Sequence, residues 1–224
     1  MRAPIFQVDA FATRRFTENP AAVMLLTEFP VPLCGHATLA SAAVEMDRLE
    51  PSRSEVTFHS MSGPLKASRI DKGYLMDLPA RYCRPAPAPP ALVAALGAAP
   101  IEVQVDGLKY IALLKNADVV RNLTPDIGAI ARLDRSGLIV TAPGDENYDF
   151  VSRYFAPAKG IPEDPVTGGA HCSLAPYWSE RLKKTDFLAF QASRRGGEIG
   201  CRLRGDRVEL QGSCVFYLEG EAHI

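Results

Sequence analysis

The residues of this chain best placed to do chemistry lie in Gly160-Ile-Pro-Glu-Asp-Pro-Val-Thr-Gly-Gly-Ala170. A carboxylate, Asp164, stands just ahead of Thr167-Gly168-Gly169-Ala170, which opens an apolar segment at residues 171–182. That segment reads as a helix, because Leu174, Tyr177, Trp178, Arg181 and Leu182 recur at three-to-four spacing. Two glycines at a helix entrance let a ligand reach free backbone N–H groups, and the helix dipole favours negative charge there. A carboxylate beside such a cradle is what proton transfer next to a bound carboxylate or enolate requires. Taken alone, the same residues also describe a helix cap in a tight turn, with Asp164 serving structure only.

The motif occurs twice. Leu33-Cys-Gly-His-Ala-Thr-Leu-Ala40 sets Cys34-Gly35-His36-Ala37 against Thr167-Gly168-Gly169-Ala170. Thr57-Phe58-His59-Ser60 then leads to Ser62-Gly63-Pro64-Leu65, as Ala189-Phe190-Gln191-Ala192 leads to Gly196-Gly197-Glu198-Ile199. Each copy reads as glycine loop, helix, strand, tight turn, strand and a further strand, at residues 74–78 in one and 208–210 in the other. A long-period duplication implies two similar lobes. Two helix N-termini facing each other across a cleft would bind a small anion between them.

The elements that must position these residues can be placed by pattern. Residues 5–11 and 21–26 read as strands around the turn at Glu18-Asn19-Pro20. A helix is expected at about 35–45, and strands near 55–60, 65–70 and 74–78. The Pro-rich run Arg84-Pro-Ala-Pro-Ala-Pro-Pro90 predicts a stiff connection. A short helix at 91–96 ends at Gly97, near the boundary between a lobe of residues 1–90 and one of residues 91–224. In the second lobe strands are expected at 101–105, 110–114, 138–141 and 148–155. A helix starts at Thr124-Pro125-Asp126, with the hydroxyl as cap. Short turns such as Gly205-Asp206 argue against a parallel doubly wound sheet and for an α+β protein of two pseudo-symmetric lobes. The second lobe holds a helix and two strands between its opening strands and its glycine loop. Only residues 27–33 fill that interval in the first lobe, so the first lobe is shortened.

Composition narrows the function classes. The 224 residues are 47% apolar and 23% charged, with a net charge of −1, as in a soluble globular protein without a basic surface for nucleic acid. No apolar run is long enough to span a bilayer, and the start runs straight into an alternating strand, so a cytoplasmic location is expected. Five scattered cysteines read as reduced thiols, neither a disulfide framework nor a zinc site. Neither nucleotide-binding glycine signature occurs, and no His, Cys, Asp and Glu cluster has metal-ligand spacing.

Several motifs together resemble the PhzF-like (phenazine biosynthesis-like) isomerase/epimerase family. They are Pro4-Ile-Phe-Gln-Val-Asp-Ala-Phe11, Asn19-Pro-Ala-Ala-Val23, Leu33-Cys-Gly-His-Ala-Thr-Leu-Ala40, Glu163-Asp-Pro-Val-Thr-Gly168 and Gln191-Ala-Ser-Arg-Arg-Gly-Gly197. The resemblance implies a diaminopimelate epimerase-like fold, each lobe a mainly antiparallel sheet around a central helix, with the site between lobes. It implies proton-shift chemistry without a cofactor, often in a homodimer. Asp164 matches the family's second-lobe aspartate and His36 its active-site histidine. Gly35, Gly168 and Gly169 match the loops whose N–H groups line the substrate site, with Ala37 and Ala170 beside them.

Two departures stand out. The family's Gly-Asn-Pro is Glu18-Asn19-Pro20 here. The family's principal acid/base, a glutamate in a motif like Glu-Asn-Asn-Leu-Ser-Glu-Thr, belongs in the shortened interval and is absent; neither Glu28 nor Glu45 takes its role. Cys34 invites a paired-thiol mechanism, but its repeat partner is Thr167, without useful acidity, and Cys172 lies a turn into the helix. His59, His171 and His223 are expected to be structural or exposed. Two functions follow: an isomerase or epimerase of a small carboxylate-bearing metabolite, or a binding or scaffold protein that kept the fold after losing catalysis.

Overall fold

The structure is a computed structural model and describes residues 2–16, 19–24, 35–60, 63–145 and 147–223. Residues 27–33, with Glu28, and the neighbouring Cys34 and Glu18 lie outside the described residues.

Alternation builds the first strand, β1 (Arg2–Ala10), in which Phe6, Val8 and Ala10 are buried and point inward. It pairs antiparallel with β2 (Asn19–Met24), Asn19 standing opposite Ala10. The Ala-rich α1 (Gly35–Val44) is buried along most of its length and runs into a π-helical turn at residues 45–49. A meander follows: β3 (Glu55–Ser60), β4 (Gly63–Ile70) and β5 (Gly73–Pro79).

The second lobe repeats and extends this plan. Its opening strands are β7 (Glu102–Val105) and β8 (Lys109–Leu113). After the short helices α3 (Ala117–Arg121) and α4 (Ile127–Ala131) come β9 (Gly137–Pro143), β10 (Phe150–Ala156) and β11 (Ile161–Asp164). The central helix α5 (Gly168–Leu182) leads to β12 (Asp186–Gln191), β13 (Gly197–Arg204) and β14 (Arg207–Gly212). Trp178 of α5 stacks on Phe150, ring centres 5.6 Å apart, and its indole N–H donates to Thr141 Oγ1. Pro176 lies inside α5 and has no N–H for the Cys172 carbonyl; the Arg81 N–H takes that carbonyl at 2.9 Å.

The lobes are joined by symmetric exchange. The equivalent strands β5 and β14 pair antiparallel, Leu78 opposite Val208 and Met76 opposite Leu210. After β5 the chain forms β6 (Arg84–Ala86), which pairs with the opening strand of the second lobe, β7. After β14 it forms β15 (Cys214–His223), which pairs with the opening strand of the first lobe, β1. The architecture is thus α+β and mostly antiparallel, with parallel pairing only at β8–β9 and β10–β12 among the described residues. In the second lobe β9 and β10 carry the sheet from β8 to β12; among the described residues nothing pairs β2 with β3, and the strands fall into a sheet of three and a sheet of twelve.

The structure corrects one local expectation and refines two others. The cap of α4 is Asp126, whose carboxylate accepts the Ala129 N–H, so Thr124 and Pro125 precede the helix. The proline-rich run holds a short strand at residues 84–86, since an edge strand tolerates Pro85. Helix α5 begins at Gly168, so the two glycines form its first turn.

Gly73 has a φ of +99°, and a methyl group there would lie 2.5 Å from the Gly212 carbonyl oxygen. Gly97, which ends α2 (Pro90–Leu96), has a φ of +64° and open space around it. Gly97→Ala is expected to cost about 1 kcal/mol in urea unfolding, and Gly73→Ala clearly more, because its obstacle is backbone.

Candidate active site at the meeting of two helices

Gly35 and Gly168 are the first residues of α1 and α5 and occupy equivalent places in the duplication. They touch. A Cβ on Gly35 would stand 3.1 Å from the Gly168 Cα, and one on Gly168 would stand 3.4 Å from the Gly35 Cα. Only residues without side chains allow two helix N-termini so close. His36 and Ala37 follow in the first turn of α1, both half-buried.

At the start of α5 the donors divide clearly. The Ala170 and His171 N–H groups both donate to the Thr167 carbonyl, at 3.1 and 3.3 Å. The Thr167 N–H donates to Gln191 Oε1 at 2.8 Å. The Gly168 and Gly169 N–H groups have no acceptor among the described residues. They are the donors left for a ligand, on the positive end of the longest helix described.

Asp164 ends β11, opposite Tyr154 of β10, and is 8% exposed. Its Oδ1 accepts from Asn19 Nδ2 at 2.8 Å, and its Oδ2 accepts from Thr167 Oγ1 at 2.6 Å. Gln191 Nε2 donates to the Asp164 main-chain carbonyl at 2.7 Å and to Thr167 Oγ1 at 3.1 Å. Every side chain bonded to this acid is neutral, and no cation pairs with it among the described residues. Burial, with the charges of Asp164 and Asp106 adding to it, pushes the Tyr154 phenol up to about 12.

A buried ion pair braces α5 from behind. The Lys109 ammonium donates to Asp106 Oδ2 at 2.7 Å, to the Gly169 carbonyl at 3.1 Å and to Ser173 Oγ at 3.4 Å. Asp106 also accepts from Ser173 Oγ and from the Leu108 and Lys109 N–H groups. Burial alone would raise the Asp106 carboxyl, but the Lys109 charge and these donors outweigh it and hold it down to about 2.

His171 is fully buried, with Nδ1 bonded to the Thr167 carbonyl at 2.8 Å. Because a carbonyl only accepts, Nδ1 carries the proton and Nε2 is left with no partner. Burial pulls this imidazole down to about 4. Of the three histidines expected to be structural or exposed, His171 is the buried one, while His59 and His223 are exposed.

The predicted residues Asp164, Gly168, Gly169 and Ala170 thus lie together at the start of α5, with Gly35 set against Gly168 and leading to His36 and Ala37. Thr167, noted in the sequence only as a poor counterpart of Cys34, holds the acid. Cys172 is fully buried, its thiol pushed up to about 11 by burial. Glu45 is engaged by Arg53 on the surface. Asn19 and Gln191 sit in motifs visible in the sequence, but nothing there pairs Asn19 with an acid 145 residues away. Lys109 and Asp106 gave no sequence signal beyond a charged turn.

Two lobes meeting at equivalent glycine turns, with an acid beside them, define an epimerase-like fold. A protein from Pseudomonas aeruginosa described as a predicted epimerase shares that fold at a TM-score of 0.70 and 19% identity, over 98% of this chain and 99% of the other. A PhzF-family crystal structure from Enterococcus faecalis matches at a TM-score of 0.94 and 35% identity, covering all of both chains. An uncharacterized isomerase of Pseudomonas aeruginosa is 40% identical over 261 residues, again covering all of both. The sequence model for phenazine biosynthesis-like proteins matches residues 28–220. The chain belongs to the PhzF-like family. Its alignment with the Pseudomonas isomerase runs over 261 residues against 224 here, so that relative holds residues without a counterpart in this chain.

Two stability measurements follow. Lys109→Met leaves Asp106 charged and unpaired in the interior and is expected to cost about 3–5 kcal/mol in urea unfolding; adding Asp106→Asn should restore most of the loss. The depressed value of His171 makes its contribution fully present above its unfolded value of about 6.5. Stability is then lost as pH falls from there to about 4, by up to about 1.4 kcal/mol per pH unit. His171→Gln should flatten that part of the profile, leaving the separate loss below about 3.8 that Asp106 causes.

Proposed function

We propose that this chain is an isomerase or epimerase that shifts a proton on a small carboxylate-bearing metabolite by acid/base chemistry, without a cofactor. One observation carries the proposal: a buried Asp164, bonded among the described residues only by neutral donors, stands at the turn whose Gly168 and Gly169 N–H groups have no acceptor among those residues. The ligand carboxylate binds at these N–H groups and at the abutting start of α1. Asp164 takes the proton from the adjacent carbon, the N–H groups hold the developing negative charge, and His36 orients the ligand or returns a proton. One well-placed donor of this kind is worth about 2.7–4 kcal/mol of barrier. A homodimer is the assembly the family resemblance implies.

A second reading is a binding protein that has lost catalysis. The residues present in the Pseudomonas isomerase but not here favour it, together with the absence of the family's glutamate motif from the sequence.

Incubation in D2O with a panel of 2-amino carboxylates and β,γ-unsaturated carboxylates, followed by proton NMR, separates the two. Catalysis predicts deuterium uptake at carbon, reduced at least about 100-fold by Asp164→Asn. Carboxylate binding that shifts the Gly168 and Gly169 amide signals without deuterium uptake would establish the binding protein.

A further inference from the structure

We propose that Asn19 is a positioning residue for Asp164, so that a side chain of the first lobe orients the acid of the second. The inference rests on the role proposed for Asp164, but its geometry stands independently.

Asn19 is the first residue of β2 and is 4% exposed. Its amide nitrogen donates to Asp164 Oδ1 and to the Val166 carbonyl, both at 2.8 Å. An amide has two hydrogens to give, and both are used. The opposite amide orientation would set Oδ1 of Asn19 against two acceptors, so the bonding fixes which end is nitrogen. Pro20 follows and confines the Asn19 backbone to extended conformations, which aims the side chain before any contact is made.

The other groups on the acid come from its own lobe. Thr167 holds Oδ2, Gln191 holds the main-chain carbonyl, and Tyr154 is the titratable side chain whose charge state feels Asp164. Asn19 is the one side chain of the first lobe bonded to the acid among the described residues. Removing its amide leaves Oδ1 without a partner while Oδ2 stays tied, which frees the carboxylate to swing about the Thr167 bond. β2 pairs only with β1 among the described residues, at the border of the shortened interval. Among the described residues, the shortened lobe therefore shares in the acid through the Asn19 amide.

The test uses Asn19→Ala and Asn19→Asp in the full chain. Asn19→Asp is nearly isosteric and turns the donor into an acceptor facing two acceptors. Side-chain three-bond couplings of Asp164, measured by NMR, report whether its carboxylate holds one rotamer. One rotamer in the natural chain and averaged couplings in both variants are expected, with deuterium uptake into a responsive carboxylate falling about 10–100-fold. Thr57→Ala, on an exposed position of β3, is the control that should change neither. Unchanged Asp164 couplings in both variants overturn the proposal, even where urea unfolding shows lost stability, because Asn19 would then serve the fold alone. Averaged couplings in a chain that takes up no deuterium would uphold the positioning role and reject the catalytic one.

Discussion

Two helices meet N-terminus to N-terminus, and most of the molecule can be understood from that contact. Each helix end carries the equivalent of about half a positive charge. Two such ends a few ångströms apart repel by about 1 kcal/mol at an effective dielectric of about 20. The contact also excludes side chains, since a methyl group on Gly35 would press on Gly168 backbone. Such an arrangement persists because the sheets hold it from outside. Pairing of β5 with β14 joins the lobes beside the contact, and the exchanged strands β6 and β15 tie each lobe to the other's opening strand. What the contact leaves at the start of α5 is the positive end of the helix, with the Gly168 and Gly169 N–H groups unpaired among the described residues.

The two halves of this pseudo-symmetric frame are not chemically equal. In the second lobe β9 and β10 carry the sheet past α5, and β11 hangs from β10 with Asp164 at its end. Among the described residues the first lobe has no pair of strands between β2 and β3. Among the described residues the second lobe thus carries Asp164, the threonine and glutamine that hold it, and the Lys109–Asp106 brace behind the glycine turn. The first lobe supplies Gly35, His36 and the Asn19 amide. The brace matters because a buried pair with every donor and acceptor used resists displacement. It fixes the Gly169 carbonyl from behind while the N–H groups of the same turn stay free in front.

Local periodicity made much of this legible. The alternation in β1, the three-to-four spacing in α5 and the glycine ending α2 each reflect a neighbour a few residues away, so pattern sufficed. The duplication went further and implied facing helix ends, which the Gly35–Gly168 contact bears out. Sequence failed where the deciding partner was remote or where two local rules competed. Thr124 and Asp126 both satisfy the preference for a cap, and only the backbone path shows that Asp126 accepts from Ala129. Lys109 and Asp106 look like a surface turn until α5 covers them. Asn19 could be seen within a family motif, but its bond to Asp164 depends on how two lobes close.

The neighbours Glu163 and Asp164 show how this environment selects one acid. Glu163 receives a bidentate contact from Arg153, which also donates to the Val120 carbonyl of α3 and the Leu123 carbonyl just beyond it. A carboxylate so engaged is held by both oxygens against one guanidinium, among the strongest orienting contacts a carboxylate can have. Asp164, one residue on, turns to the α5 side and finds an amide, a hydroxyl and, among the described residues, no cation. Hydrogen bonds from neutral groups fix direction without fixing charge as firmly as an ion pair does. Of the two adjacent carboxylates, Asp164 is the one oriented by neutral donors among the described residues, and the pleat of one short strand turns it away from Arg153 and toward α5.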